Sequence, residues 1–238
     1  MPQALLLNNV DHKDLRIITQ RGAQYGDDVS LAATFPAEFV QIQAHYPIVF
    51  RKTQDGMGFD ALALFGLAPG ENLFLGPNGW DATYIPLVLQ RQPFLIGVAD
   101  DELTVHVHID SPRISTTPGE GEAVFLEYGG PTPFLERMNS ILLAIHQGLH
   151  GMPAFIAMLL EHDLLEPFVF DIELNDGSKN RLEGFYTIKE HSLNALDGSA
   201  LGALHRAGYL QAMYMVLASM ANFRALIERK NRLHAARR

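Results

Sequence analysis

The residues best placed to do chemistry lie at the end of one alternating run. From Glu102 to Asp110, Leu103, Val105, Val107 and Ile109 alternate with Thr104, His106, His108 and Asp110. This is the period of a β-strand, so His106, His108 and Asp110 share one face. An H-x-H-x-D face is able to hold Zn(II) or Fe(II). The preferred reading is an amphipathic strand that shows its polar side to water. No metal centre is therefore expected, and His106 and His108 are the candidates should there be one. The strand ends in Asp110-Ser111-Pro112-Arg113. There Arg113 either clamps a carboxylate or phosphate, or pairs internally while Asp110 caps the turn; both readings stand. His146 and His150 are four apart, a helical spacing that suits haem or metal ligation. Gly148 and Gly151 weaken that helix, and no acidic third ligand is evident, so surface histidines are the preferred reading.

Other chemistries find no support. The chain has no cysteine, which removes thiolate nucleophiles, thiolate metal sites and disulfides. Ser111, Ser115, Ser140, Ser192, Ser199 and Ser219 do not sit in a G-x-S-x-G elbow. Gly76-Pro77-Asn78-Gly79 and Gly119-Glu120-Gly121-Glu122 lack the lysine and the spacing of a phosphate loop. The expectation leans towards a protein that is not an enzyme and carries no cofactor, with iron or haem as the alternative. Trp80, Tyr84, Tyr46 and Phe94 could line an apolar pocket for a flat ligand, although buried aromatics more often pack the core. The ligand-binding candidates are thus Trp80, Tyr84, Tyr46, Asp110, Ser111 and Arg113.

These residues need a frame. At 238 residues, 47% hydrophobic and 19% charged, the chain can bury a sizeable core. A short strand is expected at Leu15 to Thr19 and a helical turn at Pro36 to Val40. Pro47 to Lys52 and Phe59 to Leu67 flank a polar turn at Gln54 to Gly58 and form a hairpin. Tyr46-Pro47 is a place where a cis bond is more common than elsewhere, with trans preferred. Asn72 to Leu75 reads as a strand, Gly76 to Gly79 as a turn, Ala82 to Arg91 as a helix and Phe94 to Val98 as a strand. After a short strand at Ala123 to Leu126, Thr132-Pro133 with Glu136 opens a helix. Met138, Ile141, Leu142 and Ile145 form its apolar face, and Gly148 and Gly151 are expected to end it before a second helix at Pro153 to His162. Phe168 to Leu174 and Arg181 to Ile188 form a hairpin across Asn175-Asp176-Gly177-Ser178. Helices follow at Leu193 to Leu196, at Ser199 to Arg206, and from Tyr209 towards Leu233. The fold class is α+β: a β-rich N-terminal half with an antiparallel sheet, then an α-rich C-terminal half with one β-hairpin and a long C-terminal helix. The chain reads as a single domain, with 1–130 β-rich and 131–238 α-rich around the hairpin 168–188.

Charge constrains the partners. The net charge is -9. Residues 224–238 carry six Lys/Arg against one Glu, or +5, and the remaining twelve Lys/Arg against twenty-six Asp/Glu leave -14 elsewhere. An acidic body argues against nucleic acid. The basic tail docks on an acidic partner or on its own body, or simply complements the helix dipole. No membrane span is expected, since Leu201 to Ile227 is interrupted by His205, Arg206, Gln211, Asn222 and Arg224. Ala4 to Leu7 is too short for a signal-peptide core, and a cytoplasmic protein is expected. The Tyr209 to Ile227 stripe, with Met213, Met215 and Met220, reads as core or as an adaptable contact surface for a homo-oligomer.

Several segments, in order, carry a resemblance. They are Tyr46-Pro47-Ile48-Val49-Phe50, Ala61 to Leu67, Asn72-Leu73-Phe74, Gly79-Trp80 with Tyr84-Ile85-Pro86, Pro93-Phe94, Asp110 to Arg113 and Gly121-Glu122-Ala123. Leu164 to Pro167, Leu182 to Tyr186, Leu193 to Leu196, and Gly208-Tyr209-Leu210 with Tyr214, Ser219 and Asn222 continue the series. Over roughly residues 35–228 the chain resembles the SapC-like family of bacterial proteins. That resemblance implies an accessory or binding protein, not catalytic by itself, acting with a partner oxygenase or halogenase or with a TonB-dependent uptake system. It gives no weight to the two histidines, because the matching motif begins at Asp110. The alternatives are an enzyme or cofactor-binding protein with a cleft between the two halves, and a structural component of a cell-surface layer. The partner is thus a protein or a small-molecule ligand.

Overall fold

Turn chemistry sets the two clearest pairings. The computed structural model describes residues 3–99 and 102–236; Arg237 and Arg238 of the basic tail lie outside the described residues. The elements, in chain order, begin with β1 (Ala4–Leu6), β2 (Arg16–Ile17), β3 (Leu31–Thr34), α1 (Phe39–Ile42), β4 (Ile48–Lys52) and β5 (Phe59–Leu64). Between β4 and β5, Asp55 accepts the Thr53 hydroxyl and the Met57 amide, and Gly58 donates to Thr53 Oγ1, so the polar turn is internally bonded. There follow β6 (Leu75–Gly76), β7 (Gly79–Trp80), α2 (Leu87–Gln90), β8 (Phe94–Ala99), β9 (Glu102–His108), β10 (Ile114–Ser115) and β11 (Glu122–Ala123). The expected helix from Ala82 is only α2, because Pro86 precludes a preceding turn that would need its amide hydrogen. Among the described residues the cis bond is Gln92–Pro93, and Tyr46–Pro47 has the preferred trans form.

The rest is α3 (Pro133–Glu161), β12 (Leu165–Glu173), β13 (Lys179–Ile188), α4 (Glu190–Asn194), α5 (Gly198–Arg206), α6 (Tyr209–Ser219) and α7 (Asn222–Ala236). Thr132 caps α3: its hydroxyl accepts from Leu135 N and donates to Ala123 O, while Pro133 takes the first helical position where no amide hydrogen is needed. The expected break at Gly148 and Gly151 does not occur, and α3 is one helix of 29 residues. Gly148 serves packing instead. A Cβ on Gly148 would stand 2.2 Å from the Phe35 ring. Asp197 caps α5 by accepting Ala200 N at 2.8 Å. Asp197→Ala is expected to cost about 1 kcal/mol, read as a lowered urea midpoint.

The fold is α+β, with antiparallel sheets in the first half and helices, ending in a long run, in the second. It packs as two compact units, each drawn from three stretches. The first comprises Met1–Asp27, Leu75–Asp81 and Leu87–Gln147. It holds the antiparallel sheets β1-β9-β8 and β10-β2-β11 and the β6-β7 hairpin, around Ile17, Phe94, Val107 and Val124, each at most 1% exposed.

The second unit comprises Asp28–Phe74, Ala82–Pro86 and Gly148–Arg238. Its sheet runs β12-β13-β4-β5-β3. The late hairpin therefore joins the early one through Phe185↔Arg51 and Tyr186↔Phe50. Phe155 is its aromatic hub, edge-on to Phe39 and Tyr209. The C-terminal helical run is interrupted at Met220-Ala221, leaving α6 and α7. Ala212, Met213, Val216, Ser219, Phe223 and Leu226 are its buried positions, whereas Tyr214 of the expected stripe is 49% exposed. Ser219 Oγ accepts Ile48 N at 2.9 Å and Asn222 Nδ2 donates to Gln43 O at 2.8 Å, fixing this run to the start of β4 and the end of α1. Two residues of the basic tail contact their own unit: Lys230 pairs with Glu71, and Arg229 lies 4.2 Å from the Phe74 ring centre. By length and mean hydropathy, Pro133–Glu161 and Tyr209–Ala236 are long and apolar enough to cross a membrane; core helices of folded proteins meet the same criterion.

Candidate functional site

The Asp110 to Arg113 turn closes β9, and its residues part company there. Asp110 is exposed and accepts Gln3 N at 3.1 Å. Ser111 Oγ accepts the Arg113 amide at 3.3 Å. Arg113 is 1% exposed. Its Nη2 donates to both oxygens of Asp27 at 2.6 and 2.7 Å, and Nη1 donates to the carbonyls of Ile18 and Gln20. Of the two readings left open for Arg113, the internal pairing is the one observed. Asp27 also accepts Arg21 Nη1 and the Gly22 amide. Burial first, and then the Arg113 charge, lower the affinity of Arg21 for its proton. The turn thus ties the segment 18–27 to the end of β9.

His106 and His108 lie on β9, the middle strand of its sheet. His106 packs over Gly97, where a Cβ would stand 2.6 Å from its Nε2, and that nitrogen meets Thr104 Oγ1 at 3.1 Å. His108 Nδ1 is buried without a hydrogen-bond partner. Among the described residues, no group of three His, Asp or Glu side chains is arranged to hold a metal ion.

Of the aromatic candidates, Tyr46 and Tyr84 come together in the second unit. The Tyr46 hydroxyl donates to Tyr84 O at 2.5 Å, and its ring sits edge-on to Phe65 and Phe74. Tyr84 donates to Glu38 Oε1 at 2.9 Å, and Thr34 Oγ1 donates to Glu38 Oε2 at 2.7 Å. Burial, and next the Glu38 charge, hold the Tyr84 phenol above its ordinary range. Trp80 and Phe94 belong to the first unit. Trp80 is half-buried opposite Leu75, and Phe94 is fully buried, its ring 6.2 Å from Phe134.

Two concavities involve residues that sequence reasoning passed over. In the second unit, an apolar groove of about 530 Å³ runs between the sheet and the later part of α3. Ala33, Thr34, Asp60 and Ala61 line it from β3 and β5, and Leu149, Pro153, Ile156 and Leu160 from α3. Small side chains on the strands leave the space. Met57, 83% exposed on the β4-β5 turn, forms a lip. The volume and apolar lining are those of small-molecule sites. One signal was legible: Met57 is a large apolar residue in the polar turn between two strands, outside the alternating pattern.

In the first unit, a wider and more polar cleft of about 1120 Å³ is lined by His12, Lys13, Asp14, Ile109, Ile114 and Phe125, among others. His12 is 7% exposed. Its Nδ1 accepts the Asn8 amide at 3.2 Å. A backbone N–H only donates, so the ring proton resides on Nε2. Asn8 in turn accepts the amides of Val10 and Asp11, a turn that Asn-x-x-Asp spacing permits but does not require.

These features define a class: an antiparallel α+β protein with an apolar groove on one unit and a polar cleft on the other. A model of the SapC family matches residues 7–226. The chain belongs to the SapC family. Comparisons with curated proteins and with solved structures give no match.

Proposed function

We propose that this SapC-family protein is a binding protein, not catalytic by itself, whose groove between β3, β5 and α3 takes an apolar small molecule. The groove is the observation that carries the reading. Its lining is mainly apolar and its volume is about 530 Å³, in the range of ligand sites. Its mouth leaves Met57, Leu149 and Leu160 83%, 41% and 49% exposed. Such exposure loses hydrophobic stabilisation that a ligand restores on binding. An accessory role beside a partner oxygenase or halogenase, or a TonB-dependent uptake system, is consistent with family membership and is part of the proposal.

Ala157 lines the groove and is exposed, so Ala157→Trp fills it without disturbing the core. The purified protein is expected to bind a neutral apolar probe, butylbenzene, by calorimetry, and Ala157→Trp to weaken that binding at least about tenfold. Equal binding by both proteins, or none by the parent, would remove the groove from consideration.

A further inference from the structure

The polar groups of the same groove share a property that selects its ligand. Resting on the binding reading above, we infer that the groove recognises apolar amines: an apolar body carrying an ammonium or other N–H donor, in preference to a carboxylate.

Three polar side chains line the groove: Thr34, Thr53 and Asp60. A hydroxyl has one hydrogen to give. That of Thr34 goes to Glu38 Oε2 at 2.7 Å, and that of Thr53 goes to Asp55 Oδ1 at 2.5 Å. Towards the groove both hydroxyls therefore present lone pairs only. Asp60 is an exposed carboxylate, which accepts and carries negative charge. The backbone adds a fourth acceptor. Pro153 lies inside α3 and has no amide hydrogen, so the Leu149 carbonyl receives no helical bond from position 153. Both residues line the groove. No lysine, arginine or histidine is among the described lining residues.

A ligand carboxylate entering this groove would lose water without gaining a side-chain donor and would meet the Asp60 charge. An ammonium would find acceptors, and its bond to Asp60 would be charge-assisted. Arg51 stands opposite Asp60 in the β4-β5 register and is the neighbouring cation able to compete for it.

The test uses three probes with one apolar body: butylbenzene, 4-phenylbutylamine and 4-phenylbutanoate, titrated calorimetrically into the full chain at low and high salt. The amine is expected to bind about tenfold more tightly than the carboxylate, and added salt to narrow the gap because Asp60 is exposed. Asp60→Asn should reduce the amine's advantage over both butylbenzene and the carboxylate severalfold. Asp60→Lys should reverse the preference, and Arg51→Gln should strengthen amine binding. Butylbenzene binding with no amine preference, or a preference indifferent to Asp60→Asn, would overturn this inference alone. Failure of all three probes to bind would overturn it together with the groove reading. Tighter binding of the carboxylate would show that donors outside the lining set control the site.

Discussion

Arg113→Ala is expected to destabilise the first unit by roughly 3–5 kcal/mol, a fall in melting temperature of about 10 °C for a chain of this size. The guanidinium is 1% exposed and the Asp27 carboxylate 0%. Truncating the arginine removes both bonds to Asp27 and leaves that carboxylate with Arg21 as its charged partner, at 3.2 Å. The carbonyls of Ile18 and Gln20 lose their Nη1 donor as well. Breaking a buried pair costs more than the pair itself contributes, because the remaining ion stays out of water with its desolvation only partly offset. Arg113→Lys should recover less than half of the loss: an ammonium keeps the charge but cannot reproduce the planar fork that serves Asp27 and two carbonyls together. Replacing both partners, as Asp27→Asn with Arg113→Met, should cost less than the sum of the single changes. Trp80 is the only tryptophan and lies in the same unit, so its fluorescence during urea unfolding reports the right transition. A loss below about 1 kcal/mol for Arg113→Ala would mean that the pair does not hold the turn in place.

Gly148→Ala and Gly151→Ala should move stability in opposite directions. Both glycines lie inside α3, where alanine is better than glycine by about 1 kcal/mol on propensity alone. At Gly151 a Cβ would have nothing within 4 Å, so the change should stabilise by roughly 0.5–1 kcal/mol. At Gly148 the Cβ would stand 2.2, 2.4 and 2.5 Å from three atoms of the Phe35 ring. Phe35 is 2% exposed and has little room to move aside. Overpacking of this kind costs about 1–3 kcal/mol, which outweighs the propensity gain and leaves a net loss of up to about 2 kcal/mol. Midpoints of urea unfolding for the two variants decide the matter, and a stabilised Gly148→Ala would refute the packing role assigned to that glycine. Phe35→Leu combined with Gly148→Ala should recover part of the loss, because the two sites share one contact.

The same glycines explain a misreading. Propensity alone argued for two helices, and it is a weak prior that tertiary packing overrides. The close approach of Phe35, more than a hundred residues earlier, leaves no local trace. The partner of Arg113 is hidden from local sequence for a similar reason. Nothing near Asp110 to Arg113 reveals that a carboxylate at Asp27 and two carbonyls at Ile18 and Gln20 converge on the guanidinium. Ser219 and Asn222 were legible only as members of a resembling segment; their bonds to Ile48 and Gln43 show what they hold.

The sequence by itself determined what rests on short range. Polar turns at Gln54 to Gly58 and Asn175 to Ser178 specify the β4-β5 and β12-β13 hairpins, because turn geometry sets register between adjacent strands. Alternation specified β9, and Thr132-Pro133 the start of α3, for equally local reasons. Those elements, and their order, sufficed for the α+β class, while the family rested on the ordered resembling segments between Tyr46 and Asn222. Only the tertiary structure decided which hairpin lies beside which, that β13 pairs with β4, and that the compact units interleave along the chain. It also decided that the strand face bearing His106 belongs to a middle strand, and that alanines on β3 and β5 meet α3 across a groove whose polar side chains face it as acceptors. These are contacts between residues far apart in the chain. They are chosen by burial and steric fit in the closed structure, and local propensity carries no record of them.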